Sequence, residues 1–156
     1  MNKIKLIAIS IIIFIHGINL HANTIKIVTK VQNEIITNID IENEIKYLLF
    51  LNPKLDELNK KQKYNIAKNS LITEIIKKKE IEKAYNLEKK DSFFDNIEER
   101  FLKSKNIKNK SEFIQILNGK ELSYDTIKRK LQIEALWNQL IFTKYSKNIR
   151  INKKEL

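Results

Sequence analysis

Apolar and polar positions partly alternate over the stretch 24–37. Thr24 to Val31 is rich in β-branched residues, Gln32-Asn33-Glu34 is a polar turn, and Ile35-Ile36-Thr37 resumes the run. That pattern predicts a short hairpin. Asn38 then precedes Ile39-Asp40-Ile41-Glu42, placing acids where they meet the positive end of a helix dipole, and a helix is expected to run to about Leu51. Asn52-Pro53 stops it, because a residue before proline is pushed out of the α region.

From about Asn59 the period becomes helical again. Tyr64, Ala67, Leu71, Ile72, Ile75, Ile76, Ile81, Ala84 and Tyr85 recur at helical intervals, and Asn86 is expected to close the element in the left-handed conformation. Ser92 is expected to cap a third helix carrying Phe93, Phe94, Ile97, Phe101 and Leu102, followed by a basic, loop-like stretch from Lys103 to Lys110. Ser111 to Asn118 makes two turns, with Gly119 at the position that favours a left-handed C′ residue. Ser123 opens a last helix, Tyr124 to about Ser146, with Ile127, Leu131, Ala135, Leu136, Leu140 and Ile141 as its buried stripe. At roughly 1.5 Å per residue it spans about 33 Å. Asn148 to Ile151 is long enough for one strand, with Ile149 and Ile151 on a shared face, and is expected to pair with the hairpin. The fold class is mostly α: about five helices with a small β-hairpin joined by a C-terminal strand.

The first residues carry a different signal. Met1 to Lys5 is a short positive segment, Leu6 to Ile15 is almost unbroken apolar sequence, and Ala22 offers a small residue for cleavage. Residues 1–22 therefore read as a secretory signal peptide and 23–156 as the exported domain. The uncharged stretch from Leu6 to Ile25 is about the length that spans a bilayer, so an uncleaved anchor is the alternative. His16, Gly17, Asn19, His21, Asn23 and Thr24 dilute its second half and favour cleavage. In either case the body of the chain is expected to be exported.

Composition narrows the chemistry. The chain has 156 residues, 42% hydrophobic and 31% charged, with no Cys and only two His. It is too apolar for a disordered chain and large enough for one modest core. Cleavage after Ala22 would remove Lys3, Lys5 and both His but no acid, lowering the formal charge from +11 to +9. A Ser-His-Asp triad, a Cys-His dyad and His- or thiolate-ligated metal sites would then be unavailable. No cofactor or metal is expected. Glu98-Glu99, Asp56-Glu57 and Asp91 supply carboxylates, but no second acid or nucleophile is tied to them by spacing, and solvation accounts for them. The Lys77-Lys78-Lys79 run is expected to be a solvated face. Basic charge raises nucleic-acid binding as a rival, which export opposes; acidic clients or an anionic membrane surface fit an exported basic chain better.

Taken in order, these elements resemble the N-terminal domain of SurA-type periplasmic chaperones. Val31 to Asp40 looks like the family's hairpin and acid-started helix, with Gln32 where Asn is more frequent. Leu71-Ile72-Thr73-Glu74 with Glu80, Lys83 and Asn86-Leu87 is similar to its long helix. Ser111, Phe113, Leu117, Gly119 and the stretch from Tyr124 to Ile151 are similar to its closing helices and exit strand. The resemblance implies an ATP-independent holdase for unfolded outer-membrane proteins. It stops at Leu156, where the family continues towards parvulin-type prolyl isomerase domains, so no isomerase activity is expected. The family's returning helix and strand are likewise absent from the match, and a bare apolar surface is expected in their place.

For such a chaperone the candidate client-binding residues are the large aromatics: Tyr47 and Phe50 on the first helix, Phe93, Phe94 and Phe101 on the third, and Trp137 and Phe142 on the last. Core packing competes for each of them. Phe93-Phe94 and Leu136-Trp137 are the most telling pairs, since neighbours on a helix point about 100° apart and only a wide interface buries both. Trp137 and Phe94 are the expected groove residues, in a trough between the third and fifth helices. An adaptor of the same fold, which dimerises or holds one fixed partner on its uncovered surface, is the alternative.

Overall fold

A computed structural model describes residues 24–87 and 92–146, apart from the side chains of 92–94. The signal peptide or anchor, Asp91, and the C-terminal strand with its pairing to the hairpin lie outside the described residues, as do the side chains of Phe93 and Phe94. Among the described residues the elements are β1 (Ile27–Val31), β2 (Glu34–Thr37), α1 (Asn38–Leu51), a 3-10 turn (Pro53–Glu57), α2 (Lys60–Glu82), α3 (Ser92–Ser104), α4 (Lys110–Gly119) and α5 (Tyr124–Tyr145). The chain is thus mostly helical, with one antiparallel two-stranded hairpin.

The hairpin's imperfect alternation has a structural cause. Its register pairs Ile27 with Thr37, Thr29 with Ile36, Lys30 with Ile35 and Val31 with Glu34, with an irregularity between Ile27 and Thr29. One extra residue there lets Val28 and Val31, three apart, both pack inward beside Ile36. Ile27, Lys30 and Ile35 are left on the outer face, all exposed.

Helix starts follow local hydrogen-bonding chemistry. Thr37 rather than Asn38 caps α1: its hydroxyl accepts from Asp40 N, and the Asp40 carboxylate accepts from Thr37 N at 2.7 Å, a reciprocal box. Asn38 instead ties back to the residue just before β1, its side-chain oxygen accepting from Lys26 N at 2.6 Å. Asn59 and Gln62 form the same kind of box on α2, and Ser123 caps α5. Asn109 caps α4, two residues before the expected start at Ser111.

The helix ends differ more from expectation. Lys103 and Ser104 finish α3 and Lys110 begins α4, so the basic loop shrinks to 105–109. Asn106 takes a left-handed φ of 56°, with its N–H on Lys103 O and the Ile107 N–H on Leu102 O. Glu121 repeats the arrangement after α4 at φ 55°, with its own N–H on Asn118 O and Leu122 N–H on Leu117 O. Both are Schellman closures, and in each the residue after the turn packs beside the carbonyl-bearing leucine in the core. Gly119 is therefore helical and not the left-handed residue, and Asn86 is not left-handed either.

Among the described residues three apolar clusters hold the elements. Ile36, Ile41 and Ala67 join hairpin, α1 and α2. Tyr47, Leu102, Ile107, Phe113, Leu117, Leu122 and Ile127 join α1 to α3, α4 and α5. Ile81, Ile133 and Leu136 join α2 to α5. In the largest cluster Phe113 is sealed among Phe101, Tyr124 and Phe50, with ring centroids 5.7, 6.0 and 6.2 Å away.

A Cβ added to Gly119 meets nothing within 4 Å. Gly119→Ala is therefore expected to stabilise the protein by about 0.5–1 kcal/mol, since alanine lowers the entropy cost of a helical position. A fall in the urea midpoint would show instead that the residue needs the freedom of glycine.

Candidate functional site

The apolar stripes of α1 and α5 are each interrupted by a charge. Glu44 lies three residues after Ile41 and three before Tyr47, and Lys130 lies three after Ile127 and three before Ile133. Helical spacing puts each among its apolar neighbours, so both are carried inward when the helices pack. Glu44 is 2% exposed and Lys130 7%. The Lys130 ammonium is 2.8 Å from Glu44 Oε2 and is bonded to the Glu74 carboxylate of α2. Ser70 of α2 donates to Glu44 Oε1 at 2.6 Å. Glu44 Oε2 makes no directed hydrogen bond, so the adjacent ammonium is its compensation. The face of Tyr47 lies 5.0 Å from the same ammonium.

Burial shifts the protons held here. Desolvation drives the Tyr47 phenol well above its usual range, reinforced by Glu44, Glu74 and Glu134. Desolvation alone would lower Lys130, but the attraction of Glu74 and then Glu44 outweighs it and leaves the ammonium above the usual lysine range.

Two hollows open on this cluster, and Glu44, Tyr47, Glu74 and Lys130 line both. One, of about 360 Å3, extends towards Asn69, Thr73, Lys77 and Glu134; the other, of about 300 Å3, extends towards Asp40, Asn43, Glu121 and Thr126. Their walls mix charged and apolar side chains, with Leu48 and Ile66 in the first and Leu71, Leu122 and Ile127 in the second. Between α3 and α5, where an apolar trough is expected, a hollow of about 10 Å3 lies beside Ile97, Phe113, Tyr124 and Leu131; the side chains of Phe93 and Phe94 on that side lie outside the described residues.

The aromatic candidates go to different places. Tyr47 is buried in the core, and Phe50 and Phe101 pack against that same core, their rings 6.3 Å apart. Trp137 is half-buried beside Ile81, Ile133 and Leu136, with the Lys77 ammonium 5.9 Å from its ring. Phe142 is 71% exposed near the end of α5. The structure thus brings Tyr47, Phe50 and Phe101 together inside and leaves Trp137 and Phe142 apart from them.

The lysine run is not a solvated face. Lys77 grips both oxygens of Glu134 on α5 at 2.6 and 2.8 Å, while Lys78 and Lys79 reach Glu34 of the hairpin at 3.1 and 3.7 Å. Of the other sequence carboxylates, Glu98 accepts from the Tyr124 hydroxyl at 2.7 Å, and Glu99 and Asp56 pair with Lys103 and Lys63. These two pairs are on the surface and contribute little to stability.

Exposed isoleucines are what the sequence analysis missed. Ile27 is 69% exposed and Ile35 52% exposed on the outer hairpin face, and Ile25 is 69% exposed just before it. The inward set beside the bulge shows which residues the turn leaves outside. Ile66, Ile76, Tyr64 and Tyr145 are also exposed, scattered over α2 and α5.

Compared with models of protein families, with curated proteins and with solved structures, the chain finds no match.

Lys130→Met would leave Glu44 buried without a counter-charge and is expected to cost about 3–5 kcal/mol, of which Glu44→Leu in the same chain restores a large part. Equal losses in the single and double variants would contradict this coupling. Tyr47 and Lys130 both hold their protons more tightly when folded, so stability is complete below the unfolded values, 10.0 and 10.5, and falls as pH rises through the higher folded ones. The urea midpoint should drop above pH 10, less steeply in Tyr47→Phe; an identical slope in the variant would contradict this.

Proposed function

We propose that this chain is a periplasmic, ATP-independent holdase for unfolded outer-membrane proteins, with a fold of the SurA N-terminal type, working by contact and without bond-making chemistry. The observation that carries the reading is the outer hairpin face, where isoleucines stand in water on a sheet anchored to the helices by Ile36, Val28 and Val31. Each such side chain, once covered, contributes at most about 1.5–3 kcal/mol, and association costs several kcal/mol, so a few of them give weak, exchangeable binding. That suits a protein that must release its clients without ATP.

The order of elements supports the kinship: hairpin, acid-started helix, long helix, then three further helices. No helix among the described residues is long and apolar enough to cross a membrane. The positive balance of the chain favours acidic partners over basic ones through long-range attraction.

Molar excess of the purified protein should suppress the light scattering of an unfolded outer-membrane protein diluted from urea; undiminished aggregation rejects the proposal. In a protease-coupled prolyl isomerisation assay no rate above background is expected, and measurable turnover would overturn the non-catalytic part.

A further inference from the structure

Asp40, Asn43, Glu44 and Tyr47 recur at intervals of three and four on α1, so they share one face, and with Glu74 of α2, Glu121 and Lys130 they line the hollow of about 300 Å3. Small-molecule sites begin at about that size. Four carboxylates line it against one lysine, in a chain whose formal charge is +11. Lys46 pairs with Glu121 from outside the hollow, and the starts of α1 and α5 contribute about half a positive charge each, which still leaves about one negative charge inside. Each of three carboxylates commits one oxygen only. Asp40 gives Oδ2 to Thr37, Glu74 gives Oε2 to Lys130 and Glu121 gives Oε2 to Lys46, so Asp40 Oδ1, Glu74 Oε1 and Glu121 Oε1 make no hydrogen bond among the described residues. Tyr47 supplies an independent sign of a ligand. The residue is 8% exposed and its hydroxyl makes no hydrogen bond among the described residues, where Glu44 Oε2 is the one unbonded side-chain oxygen sealed from water; the hydroxyl therefore opens onto the hollows it lines. Desolvation first, then the fields of Glu44, Glu74 and Glu134, keep its proton on, and the same negative field favours a cation beside it. No three acids among the described residues lie close enough to hold a metal ion, so the charge is spread over the wall and suits an organic cation.

We propose that this hollow binds an ammonium group carried on an aliphatic chain, with the nitrogen among Asp40, Glu74, Glu121 and the Tyr47 hydroxyl and the methylenes against Leu71, Leu122 and Ile127. An ammonium has three donors and no acceptor, which matches three carboxylate oxygens that are free to accept. A guanidinium fits less well, because its planar fork prefers both oxygens of one carboxylate and each of these has a single oxygen to give. One positive charge also balances the excess inside the hollow. The group reaches the site either on a free alkylamine or as the lysine side chain of another protein, whose methylene stem would cover the apolar wall. This binding concerns the helices, not the hairpin, and does not rest on the chaperone reading.

The test is a methyl NMR titration of the whole protein with n-butylammonium, which reproduces a lysine side chain, and with Nα-acetyl-lysine methylamide. Saturable shifts of the Leu71, Leu122 and Ile127 methyls are expected, in the millimolar range for so small a probe. Butyltrimethylammonium keeps the charge but lacks N–H donors, and should bind about fivefold or more weakly. Tyr47→Phe should weaken n-butylammonium by about three- to tenfold. Thr126→Phe sets a ring into the hollow from an exposed position on its wall, and should abolish the shifts while the circular dichroism spectrum is unchanged. Glu57→Gln, which removes a carboxylate outside the hollow, should leave the affinity as it was. Equal binding of the lysine derivative assigns the site to a protein lysine, and binding of n-butylammonium alone assigns it to a free amine. Absence of saturable shifts with both probes, equal binding of the trimethylated compound, unchanged affinity in Tyr47→Phe or Thr126→Phe, or an equal loss in Glu57→Gln would overturn the ammonium site. None of those results would touch the holdase, whose aggregation assay stands apart from them.

Discussion

The Lys130 ammonium lies almost out of water between carboxylates from two other helices, and that pairing is the constraint on which the helical packing depends. An ion taken out of water costs several kcal/mol unless a partner with good geometry replaces the solvent. Lys130 is compensated only if α1 brings Glu44, α2 brings Glu74 and α5 arrives at the matching height. Ser70 then occupies the other oxygen of Glu44. Shifting any of the three helices by one turn would strand a buried charge. The cluster is better described as fixing which packing is adopted than as a large source of stability.

Ion pairs further along α2 extend the same registration. Lys77 holds Glu134 of α5, while Lys78 and Lys79 hold Glu34 of the hairpin. One stretch of positive charge therefore spans the two sides of the molecule. Partly buried and shared between lysines, these contacts orient the hairpin on α2, and Ile36, Ile41 and Ala67 pack beneath it. The bulge in β1 completes this arrangement by turning both valines inward and Ile27 outward.

Aromatic residues and exposed apolar area have separate roles here. Phe50, Phe101, Phe113 and Tyr124 meet at tilted or edge-on angles in the interior, where each ring buries much surface and contributes to cohesion. Water-facing apolar side chains are divided between Ile25, Ile27 and Ile35 at the small sheet and Tyr64, Ile66, Ile76, Phe142 and Tyr145 on α2 and α5. The helical body thus carries a small sheet with isoleucines on its outer face, and the hollows around Glu44 and Lys130 lie between the helices, one of them reaching Asp40 at the start of α1.

Much of the secondary structure was legible because its determinants are local. The polar turn at Gln32-Asn33, the stop at Pro53 and the caps at Asn59 and Ser123 each act within a few residues, where hydrogen-bonding geometry and steric exclusion need nothing from the rest of the chain. The end of α4 shows where this ceases. Glycine is the locally favoured left-handed residue, yet Glu121 takes that conformation so that Leu122 can reach the core, a gain visible only once α4 and α5 pack together. The interrupted stripes around Glu44 and Lys130 were written in the sequence as charges at apolar positions. Their pairing was not, because Lys130 meets partners such as Glu74, 56 residues away, through helix packing that no local period encodes. For the same reason the chain's periodicity marked the aromatics as large and apolar, but only the assembled tertiary structure decided which of them it would seal in and which isoleucines it would leave in water.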